Sequence, residues 1–434
     1  MKDNSKIKKE YSDEKKLLFN DRLLNKKKQT KLIKSINFFN NSGSIINSES
    51  VKYDNNSQKN KENDNKTRKK IRNPGVDFAR IISMYNIVLN HYIRNGFVFD
   101  HFPQYERQLS LLKSFTDWNN NAFILISGIV GYKTNKYSNL IYLWLTVFFY
   151  SVGIHKFYEL FKKHSIIKEN IIYEYYPMIF KRYWFFTTYF GMYLFLPVLN
   201  KGIASLSKYE FGLVVLTLHL IFVFWREYKN PNEDMFQCHN GNSVIWFLIY
   251  YLTGAYIGKY RVDYFGIKKY IYLFLCLFIF SFISYVFFKT SHNEMPIRIG
   301  NLIIEVPFVI KGMLNERYDS FLKIIQSMAV CLFCMQIHYN KYLAKIICFT
   351  GPFIFSVYLV HNNKVLKDNS VTHMFDSLPK NMSFNSLFSL LLLKSMKMMV
   401  FSIIIDYLKH LLLSLLRIRK ILIFVETKLK EKLG

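Results

Sequence analysis

Cysteine is scarce in this chain, with five residues in 434, and the odd number argues against a framework of disulfides. Two of the five, Cys331 and Cys334, form a C-x-x-C pattern within the apolar segment "SMAVCLFCMQI". In that setting we expect small buried side chains and not a redox or zinc centre. The sequence therefore predicts no disulfide framework and no metal cofactor.

Acidic residues are also few, with 30 Asp and Glu against 59 Lys and Arg. Much of the excess lies in residues 1–73, which hold twenty Lys or Arg against nine Asp or Glu, with many Asn and Ser. Such a segment buries too little apolar surface to offset the entropy of ordering, which predicts a disordered basic tail. A basic tail could bind nucleic acid, but no folded nucleic-acid reader accompanies it. We expect a cytosolic tail that obeys the positive-inside rule, and no nucleic-acid partner.

Apolar residues are abundant: hydrophobic side chains make up 51% of the chain and aromatic side chains 18%. Several apolar segments approach the ~20 residues that cross a bilayer. The predicted spans are 77–97, 119–132, 139–155, 183–199, 210–226, 244–258, 268–288, 321–338, 345–360 and 386–405. The predicted fold class is an all-α polytopic transmembrane helical bundle of about ten helices. Its membrane domain covers residues 74–410, followed by a basic cytosolic segment at 411–434.

Lysine and arginine set the predicted orientation. They are frequent in the connections "YKTNKYSN", "GKYRVDYFGIKK" and "HYNKYLAK", and in the C-terminal "RIRKILIFVETKLKEKLG". With ten spans, these segments and both termini lie in the cytosol, at the plasma membrane or an internal membrane. The weaker stretch 299–310 is too short to count as a span. Residues 156–182 fall on the outer side yet carry six Lys or Arg against three Glu, so either the topology differs locally or this loop meets an anionic acceptor.

Ionisable residues stand inside the first span, in "RIISMYNIVLNH" from Arg80 to His91. Eleven helical positions return to within about 20° of the start, so both residues share one face, about 16 Å apart along the axis. Asp77 lies one turn before Arg80. An arginine at the membrane boundary can hold a phosphate, and a buried histidine can activate a hydroxyl. Alternatively, Arg80 reaches the headgroups, Asp77 neutralises it, and His91 is a satisfied interior histidine.

The segment "NPGVDFARIISMYNIVLNHYI" resembles the opening helix of the integral-membrane acyltransferase family 3, with its Arg, ten intervening residues and His. The similarity continues in order through "WNNNAFILISGIVGY", "YWFFTTYFGMYLFLPVLNKGIASLSK", "SVIWFLIYYLTGAYIGKY" and "FTGPFIFSVYLVHNN". It covers about residues 74–410 and points to the polysaccharide-modifying branch. The resemblance implies an enzyme that transfers an acyl group, usually acetyl, from coenzyme A to a sugar hydroxyl.

On the donor side, the resemblance implies that His91 is the catalytic histidine, either a base or a transient acyl carrier. Arg80 is its catalytic partner, with Asp77 beside it, and would bind the donor. The family often has an Arg-x-x-Arg pair after its second helix, where this chain has Lys133 and Lys136. Lysine offers a point charge without the bidentate geometry of arginine. We expect these cations to meet the phosphates of acetyl-CoA.

On the acceptor side, the family's late motif corresponds to Tyr358 and His361, and Trp184 opens another matching segment. These three are the predicted substrate-binding residues, and the alternative for each is anchoring at the membrane boundary. Ser127 and Gly128 form a small pair that allows close helix approach and would shape the donor site. Packing explains Ser127 better than a nucleophilic role does.

A transporter or flippase for a glycan or lipid substrate is the alternative function, since intramembrane charges also fit that class. Against it, the sequence shows no inverted repeat and no pair of helices broken by Gly or Pro. The predicted function is therefore acyl transfer from cytosolic acetyl-CoA to a glycan or lipid-linked sugar within the lipid bilayer.

Overall fold

The computed structural model describes residues 72–134, 136–161, 171–225, 234, 236–260, 269–291, 297–299, 302–304, 317–372 and 374–433. Residues 1–71 of the predicted disordered tail lie outside the described residues. So does most of the weak segment at 299–310.

The described chain is helical apart from one short hairpin. Its helices are α1 Pro74–Asn95, α2 Val98–His101, α3 Glu106–Thr116, α4 Asn119–Gly131, α5 Tyr137–Phe161, α6 Ile172–Tyr175, α7 Trp184–Ser205, α8 Lys208–His219, α9 Val244–Tyr260, α10 Lys269–Ser291, α11 Phe321–Gln336, α12 Lys341–Thr350, α13 Ile354–His361, α14 Lys364–Ser370, α15 Phe384–Leu415 and α16 Ile418–Leu433. Helix α8 continues as a π-helical stretch, and a 3-10 turn joins α12 to α13. In the hairpin, β1 Ile297–Ile299 pairs antiparallel with β2 Leu302–Ile304.

In the part of the chain that the structure describes, every predicted span overlaps helical residues, and the span at 345–360 takes in α12, a 3-10 turn and α13. Within the described residues, five helical segments are long and apolar enough to cross a membrane: Tyr137–Phe161, Lys208–Trp225, Lys269–Lys289, Lys341–His361 and Phe384–Leu415. The other predicted spans form helices that are shorter or less apolar, so this criterion does not confirm a count of ten.

Two boundary details differ from the sequence prediction. Helix α5 continues to Phe161, so the polar connection begins later than residue 156. The sequence predicted only that the stretch 299–310 is too short for a span. Its described residues belong to the hairpin of β1 and β2.

Helix α1 lies at the centre of the bundle and packs against α4, α11, α12, α13 and α15. Its start is set by local sequence: the Asn73 side chain accepts a hydrogen bond from Gly75 N, and Pro74 occupies the first helical position. The chain leaves the helix at Gly96, whose N–H donates to the Tyr92 carbonyl at 2.9 Å. Because neighbours surround α1, its polar side chains must find partners inside the bundle.

Glycines set the close crossing of α4 and α9. A Cβ on Gly128 would overlap the Tyr251 carbonyl, and one on Gly258 would overlap the Ile129 carbonyl. A Cβ on Gly254 would meet Leu125 O and would lie 3.1 Å from Gly128 Cα. The two backbones can therefore approach closely because glycines on both helices carry no side chain. The Ser127–Gly128 pair predicted such a close approach of helices.

Buried polar groups also join α5 to α15. Lys409 Nζ lies 2.6 Å from Asp406 Oδ1, and the Tyr150 hydroxyl donates to the same oxygen at 2.8 Å. These three side chains satisfy one another where water is excluded. The cluster fixes how the long final apolar helix sits against α5.

The C-terminal helix α16 docks on the start of α5. The Glu426 carboxylate accepts hydrogen bonds from Tyr137 N at 3.1 Å and Ser138 N at 3.0 Å. Burial favours a higher pKa for Glu426, but the hydrogen bonds from Lys430 and Ser138 outweigh it and hold the pKa below its ordinary value. The C-terminal segment and the connection before α5 thus lie at the same end of the bundle.

We expect Gly128→Ala to destabilise the protein by about 1–3 kcal/mol, because the new methyl group overpacks the crossing of α4 and α9. Gly153→Ala is the matched control, since a Cβ there meets nothing within 4 Å. Alanine in that helix should be neutral or slightly stabilising. Thermal unfolding of the detergent-purified variants measures both. Equal melting temperatures would contradict the proposed role of the crossing.

Candidate active site

Two histidines from different helices meet inside the bundle. His91 lies in the last turns of α1, and His361 is the last residue of α13. His361 Nε2 lies 3.0 Å from His91 Nδ1, and the ring centroids are 5.0 Å apart. His361 is 2% exposed, whereas His91 is half-buried. His361 is therefore enclosed by the protein, and His91 is the more accessible member of the pair.

The hydrogen bonds of this pair fix the tautomers of the two neutral rings. His361 Nδ1 lies within hydrogen-bond distance of the Val357 carbonyl, which can only accept, so this nitrogen carries the proton. His361 Nε2 then holds a lone pair, and His91 Nδ1 must donate to it. His91 Nε2 is left without a proton. This arrangement leaves Nε2 of His91 with a lone pair, which is what a base or a nucleophile needs.

A cavity of about 750 Å³ lies beside His91. Two predicted substrate residues line it with His91, Trp184 at the start of α7 and Tyr358 on α13. The Tyr358 hydroxyl accepts from Phe185 N at 3.3 Å, and its ring meets the edge of His361 at a centroid distance of 6.2 Å. Tyr358 therefore holds the start of α7 beside the histidine pair. The predicted contacts of Trp184 and Tyr358 with substrate stay predictions.

Arg80 and Asp77 lie at the other end of α1, away from the cavity lining. Arg80 Nη1 lies 2.8 Å from Asp77 Oδ1, and Arg72 Nη2 binds the same oxygen at 2.7 Å. A Cβ on Gly351 would lie 2.6 Å from Asp77 Cγ, so glycine makes room for the carboxylate. Among the residues that the structure describes, buried Arg80 Nη2 has no hydrogen-bond partner. Asp77 thus holds the Arg80 guanidinium while one of its donors stays available.

Ser127 and Gly128 do not line the cavity. The Ser127 hydroxyl donates to the Phe123 carbonyl of its own helix at 2.7 Å. Gly128 sits at the crossing of α4 and α9. Both residues serve packing in this structure.

Lys133 and Lys136 lie in the turn after α4, also outside the cavity lining. The Lys133 ammonium is 5.5 Å from the centroid of the Tyr132 ring. The Lys136 carbonyl accepts from the Tyr193 hydroxyl at 3.1 Å. The structure thus brings His91, His361, Tyr358 and Trp184 together, and it does not bring the predicted donor-side residues into the same cavity.

Sequence reasoning missed the polar lining of the cavity. Amides of Asn90, Asn119 and Asn120 line it, and so do several basic side chains. The run of three asparagines at 119–121, which opens an apolar helix, was the available signal. The third, Asn121, turns to the protein interior, where it donates to the Tyr318 carbonyl at 2.6 Å.

The described residues include five apolar helices of membrane-spanning length, which indicate an integral membrane protein, and a buried histidine pair that lies beside a cavity. The profile of acyltransferase family 3, described as an acyltransferase domain, matches residues 73–414. The chain therefore belongs to this family of acyltransferases, as the sequence resemblance predicted. Searches of curated proteins and of solved structures gave no match.

We expect Asp77→Asn to destabilise the protein by about 3–5 kcal/mol, because it leaves the buried Arg80 charge without its counter-ion. Glu431→Gln is the control, since Glu431 pairs with Lys428 at 2.8 Å on the surface and both side chains are more than half exposed. That change should cost at most about 1 kcal/mol. Thermal unfolding in detergent compares the two. Similar changes in melting temperature for both variants would contradict the larger loss of stability expected at Asp77.

Proposed function

We propose that this protein transfers an acetyl group from cytosolic acetyl-CoA to a hydroxyl of a glycan or lipid-linked sugar. The chemistry takes place at His91. Family membership supports acyl transfer in general. The observation that supports the role of His91 is the 3.0 Å contact between His91 Nδ1 and His361 Nε2 beside the cavity.

The contact with His361 supports a base at His91. Because Nδ1 donates to His361, Nε2 is the atom that can take the proton of the acceptor hydroxyl. The hydroxyl oxygen then forms the new ester bond with the thioester carbonyl carbon, and the carbon–sulfur bond breaks. The proton on Nε2 passes to the leaving thiolate. His361 Nε2 stabilises the charged imidazolium during this step, as an orienting group does for a catalytic histidine.

The same geometry serves an acyl-histidine route. Nε2 attacks the thioester carbonyl, the carbon–sulfur bond breaks, and the Nδ1 proton can move to His361 as the acylated ring loses its charge. The acceptor oxygen then bonds to the acetyl carbon as the carbon–Nε2 bond breaks, Nδ1 regains its proton from His361, and the hydroxyl proton passes to the released thiolate. In both routes His361 acts through His91 and is a positioning residue.

The donor phosphates are proposed to bind at the Arg80 end of α1, with help from Lys133 and Lys136. The unpartnered Nη2 of Arg80 supports this, because a buried guanidinium donor favours an anionic ligand. Asp77 positions that guanidinium. The extended arm of acetyl-CoA would cover the about 16 Å from Arg80 to His91.

The proposed topology has ten spans with both termini in the cytosol. The contact of Glu426 with Tyr137 and Ser138 supports it, because two basic segments predicted to be cytosolic meet at one end of the bundle. Donor entry from that end and acceptor entry beside His91 fit an enzyme that works across the bilayer.

We expect His91→Ala to lower acetyl transfer by roughly 10²- to 10⁴-fold, the usual contribution of a general base. His361→Leu should lower it less than His91→Ala does, because it keeps the base but frees the His91 ring to rotate and change tautomer. The measurement is label from radioactive acetyl-CoA incorporated into the glycan and lipid fractions of membranes. His101→Gln is the control, since His101 bonds only the Leu378 carbonyl among its described partners and lies outside the cavity lining.

Full transfer by His91→Ala would overturn the proposed function. Mass spectrometry of the His91 peptide after acetyl-CoA is added without acceptor separates the two routes. An acetylated His91 selects the acyl-histidine route, and an unmodified His91 in an active preparation selects the base.

We expect coenzyme A to stabilise the purified protein, by about 2.7 kcal/mol at a concentration of 100 times its Kd. Arg80→Gln should remove most of this stabilisation, and Lys428→Gln, at an exposed position, should retain it. Thermal unfolding with and without coenzyme A measures the effect. A protein with no response to coenzyme A would favour the transporter.

A further inference from the structure

Basic side chains gather around the cavity beside His91. Arg94 lies three residues after His91 on α1, Lys113 comes from α3, and Lys181 comes from the turn before α7. Asp117 is the single acidic residue among the described lining residues, and it lies 3.5 Å from the Lys323 ammonium. The lining therefore carries an excess of positive charge next to the proposed base.

The position of Lys181 is enforced by the turn that carries it. Its φ of +51° lies in the left-handed region, which costs a residue other than glycine about 1 kcal/mol or more. The next residue, Arg182, forms a 2.8 Å ion pair with Glu174, which is buried and also accepts from the Ser151 hydroxyl. This buried contact fixes the turn. The contacts of Arg182 and Glu174 thus fix the backbone conformation that places Lys181 in the cavity lining.

Neither Arg94 nor Lys181 forms an ion pair with a described carboxylate, and both side chains are exposed. Two cations at the rim of one concave site create a positive potential that favours an anion. Arginine can also bind a carboxylate or phosphate through two parallel hydrogen bonds. The rim thus has the chemistry of an anion-binding subsite.

We propose that the acyl acceptor carries an anionic group, a carboxylate or a phosphate, which Arg94 and Lys181 bind while its hydroxyl faces His91. This inference rests on the proposed function for the role of His91. It assigns the rim to the acceptor because the Arg80–Asp77 pair, proposed for the donor phosphates, lies at the other end of α1. Of the basic residues in the segment 156–182, Lys181 then has a role on the acceptor side.

The test measures protection of His91 from acylation by diethylpyrocarbonate, which modifies accessible imidazoles without turnover. Purified protein in a neutral maltoside detergent is treated at constant ionic strength with glucuronate, glucose 1-phosphate or glucose as the probe. Mass spectrometry follows the rate of His91 modification. We expect the two anionic probes to slow this rate and glucose to leave it unchanged.

The variant R94Q/K181Q should bind the anionic probes about tenfold more weakly, because it loses two charge-assisted contacts. K428Q/K432Q is the matched control, with the same loss of two charges at exposed positions of α16 away from the cavity, and should keep the protection. Equal protection by glucose and glucuronate would overturn the proposal. So would protection by adenosine 3′,5′-bisphosphate that R94Q/K181Q abolishes, because the rim would then bind the donor.

This readout separates the two proposals. If His91→Ala retained acetyl transfer while the anionic probes still protected His91 in the unsubstituted protein, the proposed function would fail and the anion subsite would stand. If transfer depended on His91 but no anion gave selective protection, only the anion subsite would fail.

Discussion

The hydrogen bond between His91 and His361 meets a constraint that governs the whole bundle: a polar side chain on a helix surrounded by other helices needs a partner inside the bundle. Helix α1 meets this constraint twice. At its start, Arg72 and Arg80 share the Asp77 carboxylate, and at its end His91 donates to His361. The first set of partners lies on α1 and just before it, with Gly351 making room for the carboxylate, whereas the second partner comes from the neighbouring helix α13.

The histidine pair and the Asp77 cluster differ in their surroundings, because a cavity lies beside the histidine pair. Asp77 is enclosed by its two guanidinium partners, which neutralise its charge within the protein. Among the described residues, His91 has a hydrogen-bond partner at one nitrogen only, and its ring lines a cavity of about 750 Å³. An imidazole with one fixed and one available nitrogen is suited to proton or acyl transfer, whereas a neutralised carboxylate is suited to holding an arginine.

Local sequence was enough to predict the helices and the membrane class, because apolar runs of bilayer length and the Asn73–Pro74 start act over short distances. The number of spans was harder to predict. Helices such as α4, α9 and α11 are short, and length with composition does not separate a buried core helix from a spanning one. For the site, the 3.6-residue period placed Arg80 and His91 on one face but could not say which neighbours they meet.

The sequence by itself determined an apolar helical protein of acyltransferase family 3 with costly polar residues on its first helix, since composition, spacing and motif order are one-dimensional properties. Only the tertiary structure decided that His361 lies behind His91, that Arg80 stays with Asp77, and that Arg94 and Lys181 share a rim. Those contacts join residues up to 270 positions apart, as His91 and His361 are. Their distances depend on how helices cross, which close glycine contacts such as that of Gly128 with Gly254 determine.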